Sequence, residues 1–396
     1  MFALKRALKL NKNEATLMVK HAGFRRVVFN MGLSLRTQMY GEGKFSDSKV
    51  INEIKKILTD RVKKQLGFAG MNQLSSRVYQ NALIDLKDAF ISYRLGESGH
   101  PTFASRRWGQ SFTVDSSKGK VVLDAGYTIK IPTLGTFRLH KPLDCGLVSQ
   151  TFTISKEGSR WFVSFCVDAE RLPVQQPKKI LGVDRGRKSF ATLSEAEGSN
   201  HQVFEAPKPL KQTKTKLATV QRQASRQARA SNNQRKTYAR ISRLHAAISC
   251  VRKDFLNKLT TYLAKSFKLI KIEDLKVKGM MANHKLAQGI SDIGFYEFKR
   301  QLTYNCLRYM ATRVLLDRGF PSSLTCSNCG QKQDRQLGII TYNCQSGGVS
   351  IDRDLNASIN ILKREPSAAR GIADSLDYVG SNSVASERQL ALAKFE

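Results

Sequence analysis

Three acidic residues follow apolar segments or open a helix in a strongly basic chain. Asp184 follows the apolar segment "ILGV", and Glu273 follows "LIKI" in the same way. Asp354 lies in the segment "DRDLNASINIL", which reads as the start of an acidic helix. Because carboxylates are rarely buried without a partner, acids at such places need a chemical or structural reason.

Each of these acids has an ordinary structural explanation when it is taken alone. Asp184 could be a turn residue before Gly186, and Glu273 could pair with a lysine. Asp352 and Asp354 could cap a helix, where negative charge stabilises the exposed N–H groups. We assign Asp352 to capping, and expect Asp354, one residue into the helix, to project toward the strand ends. The three acids together, from two strand ends and a helix start, favour a shared site.

A site built from three carboxylates offers only oxygen ligands, which suits Mg²⁺ or Mn²⁺. Two such ions about 4 Å apart can clamp the attacking and leaving oxygens of a phosphodiester. The ions also keep the carboxylates ionised despite their mutual repulsion. The sequence therefore predicts metal-dependent phosphodiester hydrolysis of the RNase H-like kind. Asp184, Glu273 and Asp354 are its predicted catalytic and metal-binding residues.

A cysteine motif stands directly before the third acid. Cys326 and Cys329 form a Cys-x-x-Cys pair, and Cys344 begins a second pair in which Gly347 occupies the partner position. A structural zinc site normally has four protein ligands, and glycine has no side chain to donate. Three interpretations are open. The three cysteines could hold zinc weakly with water or Asp334, the loop could fold without metal, or it could be loosened and impair the protein.

Hydrophobic periodicity divides the chain into two regions of different texture. Helical spacing predicts a helix over residues 13–38 and further helices near 47–65 and 71–95. Residues 101–170 contain short segments rich in β-branched and aromatic residues, which predict antiparallel strands. A Pro-containing linker at residues 171–179 marks a boundary.

The second region alternates apolar strands with long helices. The segment "ILGVDRGRKSFATLSE" predicts two strands around a tight turn, and residues 267–275 predict a buried strand. We also expect a long basic helical region over residues 208–265 and a helix over residues 296–319. Between residues 208 and 258, fourteen Lys and Arg residues stand against one acid, which indicates a phosphate-binding face more than a merely solvated one.

The overall charge indicates the class of partner. Lys and Arg number 66 against 32 Asp and Glu, which gives a net charge of +34 in 396 residues. Such an excess repels itself, so we expect a polyanion to offset it, nucleic acid first and an anionic membrane surface second. There is no apolar run of about 18 residues, so we expect no membrane span. Seven cysteines, most of them in periodic segments, indicate a reducing, cytoplasmic setting.

Two arginines follow the first acid in sequence. Arg185 and Arg187 flank Asp184 closely enough to influence it. Because successive strand residues face opposite ways, we expect both arginines to point away from Asp184 and to belong to a basic surface.

Four segments together resemble the TnpB family: "GVDRGRKSFATLS", "LIKIEDLKVKGMMANHKLAQGISDIGFYEFKRQLTY", "FPSSLTCSNCG" and "IDRDLNASINIL". TnpB proteins are insertion-sequence-encoded, RNA-guided DNA nucleases of bacteria and archaea, related to type V CRISPR effectors. The resemblance covers nearly the whole chain up to about residue 364. It implies catalytic acids at Asp184, Glu273 and Asp354. It also implies an RNA guide from the element's own end, a double-stranded DNA target beside a short motif, and a companion transposase of the same element.

The resemblance also implies an architecture. The expected fold is α/β, a RuvC (RNase H-like) nuclease domain with a zinc-knuckle insertion that binds target nucleic acid. A wedge β-barrel carrying an inserted helical recognition domain precedes it. The expected boundaries are the wedge at 1–12 and 96–172, the recognition domain at 13–95, the nuclease domain at 173–318 and 350–364, the knuckle at 319–349 and a disordered tail at 365–396.

Three functions are compatible with this sequence. The first is an RNA-guided, Mg-dependent DNA endonuclease, which the presence of all three acids favours. The second is a cleavage-impaired, repressor-like DNA-binding protein of the same fold, which the altered cysteine motif keeps open. The third is a transposase that joins DNA ends, since RNase H-like folds also host that chemistry. The sequence shows no separate end-binding or dimerisation module for it.

Overall fold

The computed structural model describes residues 2–40, 51–57, 59, 74–106, 109–116, 121–123, 126–143, 147–167, 179–186, 189–195, 201–317, 319–333 and 340–365. The chain divides into two units, Met1–Ala169 and Glu170–Glu396. In the described ranges no helix is both long and apolar enough to cross a membrane. Residues 171–178 of the predicted linker, residues 366–396 of the predicted tail, and Arg187 and Asp334 fall outside the described residues.

The first unit contains antiparallel sheets and helices. Its elements are β1 (Phe2–Lys9), α1 (Lys12–Tyr40), α2 (residues 51–57), α3 (Ser76–Arg94), β2 (Gln110–Asp115), β3 (Val121–Leu123), β4 (Gly126–Ile131), β5 (Gly135–Leu143), β6 (Leu147–Ser149), β7 (Thr151–Glu157) and β8 (Arg160–Val167). Six strands form a sheet in the order β2-β7-β8-β1-β5-β4, and β3 pairs with β6. All of these pairings are antiparallel, as predicted.

The N-terminal strand lies in the interior of this sheet. β1 pairs with β8 on one side and with β5 on the other. Leu33 of α1 and Leu86 of α3 share one hydrophobic core with Phe112 and Phe152 of the sheet. The predicted helix over residues 13–38 is confirmed as α1.

The second unit is built on a mixed sheet. Its elements are β9 (Ile180–Asp184), β10 (Ala191–Glu195), β11 (His201–Phe204), α4 (Pro209–Arg226), α5 (Asn232–Ser266), β12 (Leu269–Glu273), α6 (Val277–Met281), α7 (His284–Ile293), α8 (Phe295–Arg308), β13 (Thr312–Leu316), β14 (Thr341–Asn343), β15 (Ser350–Asp352) and α9 (Arg353–Lys363). The strand order is β11-β10-β9-β12-β13. β9, β12 and β13 run parallel, while β10 and β11 are antiparallel to their neighbours.

Helix α9 lies unusually close to strand β9. The contact requires glycine at position 182, where an added Cβ would lie 2.7 Å from the Leu362 nitrogen and would also collide with the Ser358 carbonyl oxygen. The hydroxyls of Ser194 and Ser358 meet at 2.5 Å and join α9 to β10 as well. These contacts hold the body of α9, the helix that carries Asp354, against β9 and β10.

The predicted helix over residues 296–319 is wrong in its second half. Helix α8 ends at Arg308, and the segment "TRVLL" forms strand β13, which pairs in parallel with β12. Met310 has a positive φ of 56°, which breaks the helix between the two elements. Pairing with a central strand outweighs the helical periodicity of the segment, since Val314 and Leu316 become buried at the edge of the sheet.

The predicted basic helical region over residues 208–265 is confirmed as two helices, α4 and α5. Ser231 begins α5 as its N-cap, and its hydroxyl accepts a hydrogen bond from the Gln234 nitrogen at 3.1 Å. The carboxylate of Asp292 accepts from the Leu210 nitrogen at the start of α4 and pairs with Arg252 of α5 at 2.7 Å. This buried acid therefore holds the two basic helices together.

Candidate active site

Two of the predicted acids end adjacent parallel strands. Val183 of β9 pairs with Ile272 of β12, so the next residues, Asp184 and Glu273, leave the same edge of the sheet. Asp354 lies in the first turn of α9. Its Oδ2 lies 3.7 Å from the point where a Cβ on Gly186 would be, which places it beside the turn that follows Asp184.

The electrostatics of Asp184 show that the three acids act on one another. The pKa of Asp184 is raised to about 7, mainly by burial and then by the negative charges of Glu273 and Asp354. The Arg353 cation and the backbone N–H of Arg185 oppose this shift. The structure therefore brings together the three acids that the sequence predicted, with too little positive charge to ionise Asp184 fully at neutral pH.

The two acids at the start of α9 have different environments. Asp352 is the N-cap of the helix, and its Oδ1 accepts from the Asp354 nitrogen at 2.9 Å and from the Leu355 nitrogen at 3.1 Å. The capping assignment of Asp352 is thus confirmed. Oδ1 of Asp354 accepts from the Arg353 guanidinium at 2.6 Å, while Oδ2 lies toward Gly186.

The prediction that Arg185 belongs to a basic surface is wrong. Its side chain is buried, and its guanidinium donates to the backbone carbonyl of Glu273. The guanidinium also lies 5.6 Å from the Phe298 ring centroid and 6.0 Å from that of Phe295. Burial lowers the pKa of Arg185 to about 10, although the nearby acids partly offset this shift. The guanidinium therefore stays protonated at neutral pH. Because β9 ends at Asp184, strand alternation does not govern the next residue.

A serine that sequence reasoning missed contacts the second acid. The hydroxyl of Ser322 donates to Oε1 of Glu273. Ser322 is buried in the loop between β13 and the cysteine motif. The signal available in the sequence was its place in the segment "FPSSLTCSNCG", where nothing distinguished it from the neighbouring hydroxyl residues.

The three predicted cysteines form one cluster. The sulfur atoms of Cys326, Cys329 and Cys344 all lie within 4.8 Å of one another, and those of Cys329 and Cys344 are 3.5 Å apart. The Gly347 nitrogen donates to Cys344 Sγ at 3.2 Å. A Cβ on Gly347 would lie 3.4 Å from Cys344 Sγ and 3.5 Å from Cys329 Sγ, so the residue occupies the place of a fourth ligand.

One thiol of this cluster, that of Cys326, has a pKa below its ordinary value. Burial opposes ionisation of Cys326, but hydrogen bonds from the backbone of Cys329 and Asn328 and from the Cys344 and Cys329 thiols together outweigh it, so the pKa of the Cys326 thiol is lowered. A thiolate is the form that ligates a metal. The donor set therefore fits a soft or borderline cation such as Zn²⁺.

Two family models match the chain. One, described as "Probable transposase", matches residues 164–284. The other, described as "Cas12f1-like, TNB domain", matches residues 295–361 and so includes the cysteine cluster and Asp354.

Curated relatives span most of the chain. A "Putative RNA-guided DNA endonuclease" of Streptomyces pristinaespiralis is 32% identical over 374 residues, which cover 91% of this chain and 90% of that protein. The "Putative RNA-guided DNA endonuclease InsQ" of Escherichia coli K12 is 31% identical over 304 residues, which cover 72% of this chain and 74% of that protein.

A solved structure shows a related fold. A chain in the "Cryo-EM structure of the Cas12f1-sgRNA-target DNA complex" aligns with a TM-score of 0.56 at 13% identity. The alignment covers 88% of this chain and 82% of that chain.

Proposed function

Because this chain belongs to the TnpB family of RNA-guided DNA endonucleases of insertion elements, we propose that it is itself such an enzyme. It takes an RNA guide from the end of its element and cuts double-stranded DNA beside a short motif that the protein reads. The reaction is Mg²⁺- or Mn²⁺-dependent phosphodiester hydrolysis. Asp184, Glu273 and Asp354 are its catalytic residues.

The observation that carries this proposal is the convergence of the three acids, from two adjacent strand ends and the first turn of α9. Asp184 is half-buried near two further carboxylates, and its pKa is raised to about 7. A compensating cation would keep Asp184 ionised at neutral pH beside the other two carboxylates. Oxygen donors from two strand ends and one helix match the ligands that Mg²⁺ prefers.

The acids and their neighbours have separate tasks in this proposal. Bound divalent ions would activate water and stabilise the leaving 3′ oxygen of the cut strand. Asp184, Glu273 and Asp354 would hold these ions. Arg353 restrains one oxygen of Asp354 at 2.6 Å, and Arg185 fixes the backbone of Glu273 from inside the sheet.

The finer architecture belongs to the same proposal. The mixed sheet with order β11-β10-β9-β12-β13 and helix α9 across it supports a RuvC-like nuclease domain. The antiparallel strands of the first unit support a wedge domain, and helices α1 to α3 support a recognition domain. The predicted domain boundaries, including the tail at residues 365–396, stay predictions.

Basic helices provide the contact for nucleic acid. Exposed cations on α5 include Arg235, Lys236, Arg240 and Arg243. Such a face follows phosphates without reading sequence, as recognition of a guide duplex by shape and backbone requires. The companion transposase predicted from the family resemblance stays a prediction.

The cysteine cluster completes the proposal as a zinc knuckle with three thiolate ligands. Cys326, Cys329 and Cys344 supply them, and water takes the fourth position, because Gly347 has no side chain that could bind the metal. Zinc would be held more weakly than by four cysteines. The knuckle adjoins the helix that carries Asp354, so it can guide a strand toward the acids.

A plasmid cleavage assay tests the proposed function. The protein is co-expressed with RNA from the flank of its native element and mixed with Mg²⁺ and a plasmid library that has a randomised motif beside a matched target. We expect guide-dependent cutting that is lost in Asp184→Ala and Asp354→Asn. The matched control is Asp352→Asn, since asparagine also caps helices and should leave cutting intact.

Guide-dependent binding without cutting would instead support the cleavage-impaired alternative. The specific observation in its favour is Gly347, which leaves the knuckle one ligand short. In that case Gly347→Cys should restore cutting.

A further inference from the structure

The loop that leads into the cysteine cluster touches an acid of the proposed active site. Ser322 is 5% exposed, and its hydroxyl donates to Oε1 of Glu273. Its own backbone is held as well, since its nitrogen donates to the Phe320 carbonyl at 2.8 Å. The contact therefore joins two segments that are 49 residues apart in sequence.

Two asparagines of α9 fix this loop to the helix that carries Asp354. Asn360 Nδ2 donates to the carbonyl of Ser322 at 2.8 Å and to that of Thr325 at 2.7 Å. Asn356 donates to the Thr325 carbonyl at 2.7 Å and accepts from the Ser327 nitrogen at 2.8 Å. The asparagines are four residues apart and so lie on one face of the helix. Ser322 therefore has a fixed position relative to both Glu273 and Asp354.

We propose that Ser322 is a positioning residue, whose hydroxyl sets the orientation of the Glu273 carboxylate toward a divalent cation. The inference rests on the proposed function, because it concerns the same three acids. The terminal torsion of a glutamate is broad, so a free carboxylate samples many orientations. A hydrogen bond to Oε1 selects one of them, as residues that contact metal ligands commonly do.

The fold does not need this hydroxyl to hold Glu273 in place. The backbone of Glu273 pairs with Leu316 in the parallel sheet, and its carbonyl accepts from buried Arg185. What Ser322 adds is control of the carboxylate itself. Removing the hydroxyl should therefore change metal binding more than folding.

Three variants separate positioning from a merely structural role. Ser322→Ala removes the hydroxyl, and Ser322→Thr keeps it. Thr325→Val is the matched control, since it removes a hydroxyl of the same loop that donates to the Pro321 carbonyl at 2.9 Å. We expect Ser322→Ala to raise the Mg²⁺ concentration for half-maximal cleavage about 10- to 100-fold, the usual effect of losing a residue that orients a metal ligand. Saturating Mg²⁺ should restore most of the rate. Ser322→Thr and Thr325→Val should resemble the parent protein.

A second measurement reads metal occupancy without DNA cleavage. The guide RNA complex is loaded with Fe²⁺ in place of Mg²⁺ and treated with ascorbate and peroxide. The bound Fe²⁺ then cuts the polypeptide near its binding site, and the fragments that end near residue 273 are quantified. Ser322→Ala should shift this Fe²⁺ dependence in the same direction as the Mg²⁺ dependence. If the alanine variant does not fold, Ser322→Cys keeps the size with a weaker donor and should give a smaller shift.

Two results would overturn the proposal: an unchanged Fe²⁺ dependence in Ser322→Ala, or a lower maximal cleavage rate at an unchanged Mg²⁺ dependence. Failure of the proposed function looks different. The parent protein would then show Fe²⁺-dependent cutting of the polypeptide near residue 273 but no guided DNA cleavage. The Fe²⁺ concentrations needed by the parent protein and by Ser322→Ala would still show whether Ser322 affects metal binding.

Discussion

The fold strongly changes the acidity of Asp184. Its carboxylate has a pKa of about 7, because burial and two neighbouring carboxylates oppose its charge. A divalent cation would reverse this balance, since it stabilises all three negative charges together. The folded protein without metal therefore carries an electrostatic cost at this position, and that cost depends on pH.

Asp184→Asn should remove part of the pH dependence of stability in protein kept free of metal with a chelator. The folded-state pKa, about 7, lies above the ordinary value of 3.8. The stabilising contribution of protonated Asp184 is thus fully present below about pH 4 and is lost as pH rises through 7. We expect the variant to match the parent near pH 4 and to exceed it by about 2 kcal/mol at pH 8, roughly half of the full shift, because the side chain keeps some water contact.

Chemical unfolding at pH 4 and at pH 8 measures this difference. Asp254→Asn is the matched control, since Asp254 is exposed on α5 and pairs with Lys258 at 2.7 Å. The same amide substitution there should change stability little at either pH. If the free energy of unfolding changed with pH equally in Asp184→Asn and in the parent protein, the raised pKa of Asp184 would be contradicted.

At the residue scale, the sequence predicted acids better than it predicted their partners. Asp184 and Glu273 stood out because a carboxylate at the end of an apolar strand is unusual whatever surrounds it. Arg185 and Ser322 are defined by contacts with Glu273 across 88 and 49 residues of sequence. No local pattern encodes such contacts, so their roles required the tertiary structure.

At the element scale, the close packing of α9 on β9 places Asp354. Gly182→Ala should disturb this packing, because its Cβ would lie 2.7 Å from the Leu362 nitrogen, and backbone cannot move aside as a flexible side chain can. We expect a loss of about 1–3 kcal/mol of stability, the usual cost of overpacking, together with loss of cleavage as Asp354 is displaced.

Thermal unfolding and the plasmid cleavage assay check this prediction together. Gly279→Ala in α6 serves as the control, since its Cβ would meet only the Lys276 side chain, at 3.4 Å or more. That variant should keep both stability and cleavage. Full activity in Gly182→Ala would show that α9 tolerates displacement and that its packing does not determine the site.

The cysteine knuckle allows a second prediction at the element scale, on zinc affinity. Gly347→Cys should supply the missing fourth thiolate, because a Cβ at this position lies 3.4–3.5 Å from two of the three sulfurs. If a four-ligand zinc site gives 10–16 kcal/mol in total, each ligand contributes about 3 kcal/mol, or on the order of 100-fold in affinity. Competition with a chromophoric zinc chelator measures the gain.

Gly347→Ala is the control for this substitution, since it fills the same space without a donor. It should leave zinc affinity at the level of the parent protein or below it. Equal affinities for the cysteine and alanine variants would mean that position 347 does not face the metal.

The bounds of an element could be predicted where the hydrophobic pattern of the segment fitted a single type of secondary structure. The strands that end at Asp184 and Glu273 are short, apolar and β-branched, and both formed as predicted. The segment at residues 296–319 supports helical periodicity throughout, yet its end pairs with β12 as strand β13. Sheet pairing with a distant strand decided that conformation, and the local sequence does not record it.

At the scale of the whole molecule, net charge indicates a polyanionic partner. A chain at +34 repels itself when it folds, and a bound polyanion offsets that repulsion. Composition alone cannot say which nucleic acid binds. The family relationship supplies that distinction, and the basic helices α4 and α5 supply a surface for it.

Salt should therefore change stability in opposite directions with and without guide RNA. In protein free of nucleic acid, raising NaCl from about 50 to 500 mM screens self-repulsion and should raise the melting temperature. In the guide complex the same salt weakens phosphate contacts and should lower it toward the value of the free protein. Differential scanning fluorimetry measures both series. Sucrose at matched osmolarity is the control. Because it carries no charge, it should shift the melting temperatures of the free protein and of the guide complex in the same direction. Parallel salt trends would mean that RNA does not neutralise the charge of the chain.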